Sequence, residues 1–202
     1  MRKVILFIAM SLDGYIADQN GGVDWLQGQD SNQETKDIYT EFIQNIDTVI
    51  MWWNTYYQIV TELSPDQWIY SSLQSYVITH NQKESTENIQ FVLQDPSDLI
   101  RELKQKEGKD IWICGGAQII QSLMQNQMID EYHISIIPIL LGSGISLFHT
   151  GFSTIPLQLV ESHENNGILD TIYIRRKETD INESCDRKWF FRNSKVSILL
   201  YV

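Results

Sequence analysis

The sequence is poor in the residues that mark secreted, fibrous or membrane proteins. Its 202 residues include only two cysteines, Cys114 and Cys185, and only four prolines. Two cysteines cannot build the disulfide framework of a small secreted domain, so we expect free thiols in a reducing cytoplasm. No apolar run approaches the ~20 residues of a membrane-spanning helix, and the apolar start of the chain is interpreted as a buried strand. These absences favour a cytoplasmic globular protein with no membrane partner.

Positive charge is also scarce. Fifteen lysines and arginines stand against 26 aspartates and glutamates, which gives a net charge of −11. A surface of this sign repels phosphate backbones and anionic lipids, so we expect no nucleic-acid partner. A small anionic ligand would need local cations or backbone N–H groups. Aromatic residues, in contrast, make up 11% of the chain, within a hydrophobic fraction of 43% that is typical of a folded domain.

Short apolar runs alternate along the chain with segments of helical periodicity. The predicted strands are 4–10, 48–51, 75–79, 89–93, 110–114 and 132–141, followed by a hairpin of 158–162 and 169–176. Helices are predicted over 35–45 and 117–127, with a third that begins at Pro96 after Asp95 as N-cap and ends at Gly108. Strands that alternate with helices predict an α/β fold with parallel pairs, and the hairpin makes the sheet mixed.

The composition changes near residue 177. Residues 178–186 are polar, 187–195 are basic and aromatic, and 196–202 are apolar. We therefore predict a domain over 1–177 and a C-terminal tail over 178–202. The tail could dock on the domain, pair with a neighbouring chain or be disordered, and its apolar end favours the first two.

The strongest local signal for a ligand is a pair of glycines between a predicted strand and a predicted helix. Glycine lets a ligand approach the backbone closely, and a helix N-terminus offers free N–H groups and a partial positive charge. Gly115 and Gly116 could therefore form a seat for phosphate, or they could be a plain tight turn. The pair lacks the G-x-G-x-x-G spacing of a Rossmann fingerprint.

The other candidates are single residues beside strands. His80 ends a strand with Lys83 nearby, where the loop could hold an adenosine phosphate or could be a solvated turn. Asp13 and Asp30 could be a turn residue and a helix cap. In an apolar cleft they would instead have a raised pKa and could protonate a heterocycle. The four histidines show no paired ligand spacing, so we predict no metal site.

Several segments, taken in order, carry a resemblance to a known family. They are AMSLDGYIA at 9–17, DWL at 24–26, DTVIM at 47–51 with NTY at 54–56, YVIT at 76–79, DIWICGGAQ at 110–118, DEYHIS at 130–135, and PILLGSG at 138–144 before Leu147-Phe148. Over 1–177 the chain resembles the dihydrofolate reductase-like superfamily. It is most similar to the bacterial branch related to the C-terminal reductase domain of the riboflavin-biosynthesis deaminase–reductase.

The resemblance implies a three-layer α/β/α fold, whose central sheet is mixed and mainly parallel and ends in a C-terminal antiparallel hairpin. It also implies an NADPH-dependent reductase of a pteridine- or pyrimidine-like heterocycle, and a homodimer. The implied cofactor-binding residues are Ala9, Gly14, Tyr15, Ile16, Asn54, Thr55, Tyr56, Thr79, His80, Gly115, Gly116, Ala117 and Gln118, with a cis peptide between the two glycines. The substrate candidates are Asp13, Trp25 and Asp30, and the two aspartates are also the candidate catalytic residues.

Departures from the family pattern leave a second interpretation open. Trp52 occupies a position where the family usually has glycine, and Trp53 stands in place of an arginine that would pair with phosphate. Ile59 and Val60 stand where the riboflavin-pathway reductases have paired acids, which argues against the ribosylaminopyrimidine as natural substrate. The alternative is a non-catalytic binding or structural oligomer whose cofactor site is altered by the two tryptophans.

Overall fold

One mixed sheet organises the computed structural model of the chain, which describes residues 1–30, 32 and 38–176. Its strands and those of a small second sheet are β1 (Val4–Ser11), β2 (Tyr15–Ala17), β3 (Ile46–Trp52), β4 (Gln74–Ile78), β5 (Ile89–Val92), β6 (Asp110–Gly115), β7 (Glu131–Ile137), β8 (Ile145–Ser146), β9 (Leu157–Asn165) and β10 (Ile168–Arg175). The large sheet has the order β5-β4-β3-β6-β1-β7-β10-β9, and β2 pairs with β8. The strands from β5 to β7 are parallel to their neighbours, whereas β10 runs antiparallel to β7 and β9. The predicted mixed sheet with its closing hairpin is confirmed.

Helices cover both faces of this sheet. The helices of the described part of the chain are α1 (Ile38–Ile43), α2 (Trp53–Gln58), α3 (Pro96–Lys104) and α4 (Ala117–Gln125), and a π-helical turn (Ile59–Leu63) continues α2. The apolar stripes of α3 and α4 pack on one face, around Leu6 and Ile113. Side chains of α1 and α2 pack on the other face, around Val49 and Trp112. The three-layer α/β/α arrangement is therefore confirmed.

Local sequence signals explain where several elements begin and end. The Asp95 side chain accepts a hydrogen bond from the Ser97 N–H at 2.7 Å, and Pro96 occupies the first helical position of α3. Strand β7 ends at Ile137, earlier than predicted, because Pro138 has no N–H for the ladder. The hairpin turns at Asn166 and Gly167, which have φ of 52° and 75° and fit the primed turns that two-residue hairpins prefer.

Three elements are absent from the sequence prediction. Strands β2 and β8 are only three and two residues long, too short for a periodic pattern. Helix α2 has no side-chain N-cap, so its start carries no capping signal. Of the predicted helix 35–45, residues 38–43 are helical, and residues 35–37 lie outside the described part of the chain. Residue 177 and the predicted tail 178–202 also lie outside it. No described helix is long and apolar enough to cross a membrane.

Candidate functional site

The sheet has a switch point between β3 and β6. The chain leaves β3 towards β4 on one side and leaves β6 towards β7 on the other, so a crevice opens at the carboxyl ends of these two strands. In open parallel sheets, ligands bind in this crevice. Thr55, just after β3, and the glycine pair at the end of β6 are among the residues implied to bind the cofactor.

The structure brings Thr55 and the glycine pair together. Gly115 and Gly116 are joined by a cis peptide, as the family resemblance implies. A Cβ atom added at either glycine would meet, among the described residues, only the Thr55 Oγ1 atom at 3.6 Å. Open space therefore lies against the glycine backbone, bordered by one hydroxyl group.

The start of helix α4 faces this space with unused donors. Gly116 is the N-cap and provides no side-chain capping bond, and within the described chain no acceptor meets the N–H groups of Ala117 and Gln118. These groups carry the partial positive charge of the helix N-terminus. Together with the Thr55 hydroxyl they can hold a phosphate or pyrophosphate group without a cationic side chain.

Trp52 leaves this space open. Its half-buried indole packs into the layer of α3 and α4, and its ring stands edge-on to the exposed His80 at 4.9 Å between centroids. Thr79, just before His80, is buried and its Oγ1 atom accepts a hydrogen bond from the Asn81 N–H at 3.2 Å. The tryptophan at the family's glycine position thus lies beside the residues expected at the adenosine end, rather than over the glycine pair.

Trp53 points to the opposite layer. Its indole packs against Tyr56, Tyr57 and Phe91, with ring centroids 5.5 to 6.0 Å apart. The Nζ atom of Lys83 lies 3.8 Å from the centre of the indole, which is a cation–π contact. A lysine therefore stands over the side chain that replaces the family's arginine.

At the other end of the crevice, the segment after β1 is fixed by hydrogen bonds. Ala9 is half-buried in β1, in register with Ser135 of β7. The Tyr15 N–H donates to the Ser11 Oγ atom at 2.9 Å, and the Gly14 carbonyl accepts from the Leu147 N–H at 2.9 Å. The residues expected near the nicotinamide are thereby held at the carboxyl end of β1.

Asp13 anchors a loop. Its exposed carboxylate accepts hydrogen bonds from the Ser11 hydroxyl at 2.6 Å and from the backbone N–H groups of Gly142 and Leu141 at 2.7 and 3.1 Å. The Ser11 hydrogen bond, followed by those from Gly142 and Leu141, lowers the pKa of Asp13. A carboxylate held in this way is ionised at neutral pH, so it suits loop anchoring better than proton donation.

Asp30 and Trp25 also make local contacts. The exposed Asp30 accepts a hydrogen bond from the Asn32 N–H at 2.8 Å, and its backbone is held at both ends by the side chain of Asn166 at 2.9 Å. The Trp25 indole N–H donates to the Gly22 carbonyl at 3.1 Å. The structure thus places Asp30 at the hairpin turn of β9 and β10, with its carboxylate outside any apolar cleft.

An aromatic cluster that no sequence motif indicated packs against the face of the sheet that α1 and α2 cover. Phe7 stacks on Phe42 at 4.3 Å, and Trp112 packs edge-on between Phe42 and Tyr70. The Tyr70 hydroxyl lies 3.7 Å from the Sγ atom of Cys114, which directly precedes the glycine pair. Burial raises the pKa of the Cys114 thiol to about 11, so it is neutral and unsuited to nucleophilic chemistry.

A cavity of about 550 Å³ extends from this cluster along the sheet. It lies between α1 and the faces of β1, β7, β10 and β9, and we call it the sheet groove. Residues that line it include Phe7, Phe42, His133, Ser135, Glu161 and Asp170. Its residues come from one helix, five strands and the adjoining loops, so no local motif in the sequence could have indicated it.

Comparison with known proteins gives consistent matches. Residues 2–167 match the RibD C-terminal domain family. The chain is 35% identical over 177 residues to the uncharacterized protein YwjB of Bacillus subtilis strain 168, covering 86% of this chain and 98% of that one. A crystal structure of a proposed riboflavin biosynthesis protein from Shewanella sp. PV-4 is 30% identical with a TM-score of 0.74, over 87% of this chain and 99% of that one. Dihydrofolate reductase of Enterococcus faecalis, complexed with NADP(H), shares the fold at 14% identity with a TM-score of 0.63, over 87% and 97% of the two chains.

Proposed function

The chain belongs to the RibD C-terminal domain family, and from this premise we propose that it is an NADPH-dependent oxidoreductase that reduces a pteridine- or pyrimidine-like heterocycle. The observation that carries the proposal is the open space between Thr55 and the glycine pair, bordered by the free N–H groups of α4. This space lies at the switch point of the sheet, where the family places its cofactor.

The residues present suit the cofactor along its whole length. Thr55, Ala117 and Gln118 would hold the pyrophosphate, and Trp52 with His80 offers an aromatic surface for the adenine. Lys83 and His80 would be the side chains nearest a 2′-phosphate, and they motivate the choice of NADPH over NADH. Ala9 and the Gly14–Ile16 segment would border the nicotinamide.

When bound, NADPH would supply the hydride, and the protein would position the acceptor against it. In the overall reaction, a C=N bond of the heterocycle would gain the hydride at carbon and a proton at nitrogen, with NADP⁺ as the oxidised product. The ionised Asp13 cannot supply that proton, and Asp30 is exposed to solvent. We therefore assign the proton to water that enters with the substrate.

A titration with NADPH and NADH, followed by thermal unfolding, tests the cofactor site. We expect saturable stabilisation by NADPH, and a loss of about tenfold or more in affinity for Thr55→Val, because one hydrogen bond to a charged group contributes about 1.5–3 kcal/mol. Thr61→Val is the matched control, since the exposed Thr61 hydroxyl donates to the Tyr57 carbonyl of its own helical turn at 2.7 Å and has no other partner among the described residues.

NADPH oxidation, followed by its loss of absorbance with dihydropterin and aminopyrimidine acceptors, tests the reductase activity itself. Failure of both nucleotides to stabilise the protein would overturn the proposal and favour a non-catalytic oligomer. Binding without oxidation of NADPH by any acceptor of either class would contradict the reductase and leave a nucleotide-binding protein.

Homodimerisation remains a prediction from the family resemblance. Strand β9 forms one edge of the described sheet, and Leu159 and Val160 on it are 50% and 56% exposed. An exposed apolar edge strand is suited to pairing with another chain. Light scattering of the full chain, compared with a chain that ends at Lys177, would show whether a dimer forms and whether the predicted tail contributes.

A further inference from the structure

A row of residues leads from the position expected for the nicotinamide into the sheet groove. Ala9, Ser135, Asp170 and His163 are in register across β1, β7, β10 and β9. The Ser135 hydroxyl donates to the Asp170 carboxylate, so these two side chains lie on the same face. Adjacent strands are about 4.8 Å apart, which puts Asp170 about 10 Å from Ala9 across the sheet. One flat bicyclic ring spans that distance.

The floor of the groove is apolar and aromatic. Phe7 and Phe42 form a stacked pair in its lining, Ile5 lies two positions before Phe7 in β1, and Ile172 is in register with His133 across the sheet. The His133 ring packs 6.2 Å from Phe7 on the same face. A floor of this kind favours a planar ring that buries its faces.

The rim of the groove is acidic. Five carboxylates line it and only two lysines, Lys3 and Lys109, a formal excess of three negative charges. Both lysines are engaged, because Lys3 pairs with Glu131 at 2.7 Å and Lys109 donates to the Gln44 carbonyl at 2.7 Å. Among the described lining residues, the carboxylates therefore outnumber the lysines, and both lysines already have an acceptor. A phosphate or carboxylate substituent in the groove would meet repulsion instead.

We propose that the sheet groove binds the ring of the substrate, and that it selects an amino-substituted heterocycle without phosphate. Asp170 accepts hydrogen bonds from the amino group and an adjacent ring N–H. Ser135 donates to one of its oxygens, and no other residue in the described part of the chain donates to the second oxygen. The carboxylates of the rim, Glu131 and Glu161 among them, exclude phosphorylated analogues. This inference rests on the proposed reductase function and adds the substrate class to it.

Two probes that differ only in a phosphate test the inference, 7,8-dihydroneopterin and its 3′-monophosphate. Binding of each to the full chain saturated with NADP⁺ is measured by calorimetry at low and high salt. We expect the unphosphorylated probe to bind at least tenfold more tightly at low salt. The ratio of the two affinities should become smaller at 0.5 M salt, because salt screens the charges of the carboxylates that line the groove.

Variants assign the selectivity to the groove. Asp170→Asn is expected to weaken binding of dihydroneopterin at least tenfold. Glu161→Gln, on the exposed edge strand, should leave the protein folded and reduce the ratio of the affinities for the two probes. Asp98→Asn, on the opposite layer and exposed, is the matched control and should change neither affinity.

The outcomes separate this inference from the proposed function. Equal or tighter binding of the phosphorylated probe, no binding of either probe, or an unchanged affinity in Asp170→Asn would overturn the inference. If NADPH still stabilises the protein and is oxidised by another acceptor in those cases, the reductase function stands. If NADPH does not bind at all, the proposed function fails whatever the pterin affinities are.

Discussion

A single methyl group at Gly116 tests the cofactor seat most directly. Gly116 has φ of −86° and ψ of −172°, which alanine adopts readily, and the new Cβ would lie at ordinary contact distance, 3.6 Å, from the Thr55 Oγ1 atom. The methyl group would nevertheless occupy the space in which the phosphate is expected. The Gly116→Ala variant should therefore fold normally and bind NADPH poorly.

The expected change in the free energy of unfolding is small because two effects of the alanine oppose each other, whereas the stabilisation by NADPH should fall clearly. Alanine restricts the unfolded chain and stabilises by about 0.4–1 kcal/mol, but it is a poorer N-cap than glycine by a similar amount, so the unligated free energy of unfolding should change by less than ~1 kcal/mol. NADPH at ~100 times its Kd should add about 2.7 kcal/mol to the original protein. A tenfold loss of affinity reduces this to about 1.4 kcal/mol at the same concentration.

Thermal unfolding with and without NADPH measures both quantities. At ~2–4 °C per kcal/mol for a chain of this size, the ligand-induced rise in Tm should fall from about 5–11 °C to about 3–6 °C. Gly115→Ala is the contrasting variant, because φ of 142° strains any side chain and should lower the unligated Tm itself. A Gly116→Ala protein with its full NADPH shift would refute a phosphate seat at the start of α4.

Three further predictions concern stability. Asn166→Ala should lower the free energy of unfolding, measured in urea, by about 2–4 kcal/mol, because it removes two hydrogen bonds to the backbone of Asp30 and places alanine at a positive φ. Asn166→Gly should lower it less, because glycine adopts that φ readily. Arg2→Met should lower the free energy of unfolding by about 2–4 kcal/mol, because it removes the ion pair with Asp47. The loss is smaller than for a fully buried pair, since the Asp47 carboxylate is partly exposed, and an unchanged urea midpoint would contradict this prediction. The His133 hydrogen bond, aided by a lysine, lowers the pKa of Glu131 from 4.5 to about 2, so its contribution is complete above pH ~4.5 and is lost as pH falls towards 2. Glu131→Gln should flatten that part of the stability–pH curve measured by circular dichroism.

The order of strands and helices could be predicted because apolar periodicity reports burial directly. Short elements that depend on distant partners gave no such signal. Strand β8 has two residues and exists because it pairs with β2, which lies more than 120 positions earlier in the chain. Helix α2 begins without a side-chain cap, and its aromatic side chains resemble those of a strand. In both cases tertiary contacts outweigh local preference.

The candidate site was predictable where the chain itself forms the seat. A glycine pair between a strand and a helix is visible in the sequence and indicates close approach to the backbone at Gly115 and Gly116. The structure places Thr55 against this pair. The directions of Trp52 and Trp53 were not predictable, because adjacent residues at the end of a strand point to opposite faces and either face could have been blocked. The acidity of the sheet groove was hidden because its carboxylates come from separate strands and only their register brings them together.

If backbone N–H groups hold the phosphates, Trp52 and Trp53 need not weaken the proposed cofactor site. A site built on an arginine fails when the arginine is lost, whereas N–H groups at a helix N-terminus persist under any side-chain change that leaves the helix in place. That explains how the family's glycine and arginine positions can both be tryptophan while the space beside Gly116 stays open. On the proposed assignment, cofactor affinity would depend on few side-chain cations, in a chain whose net charge of −11 would repel NADPH. Raising the salt from 20 to 200 mM should therefore strengthen NADPH binding or leave it unchanged. A steep weakening by salt would instead show that Lys83 and other cations dominate the site.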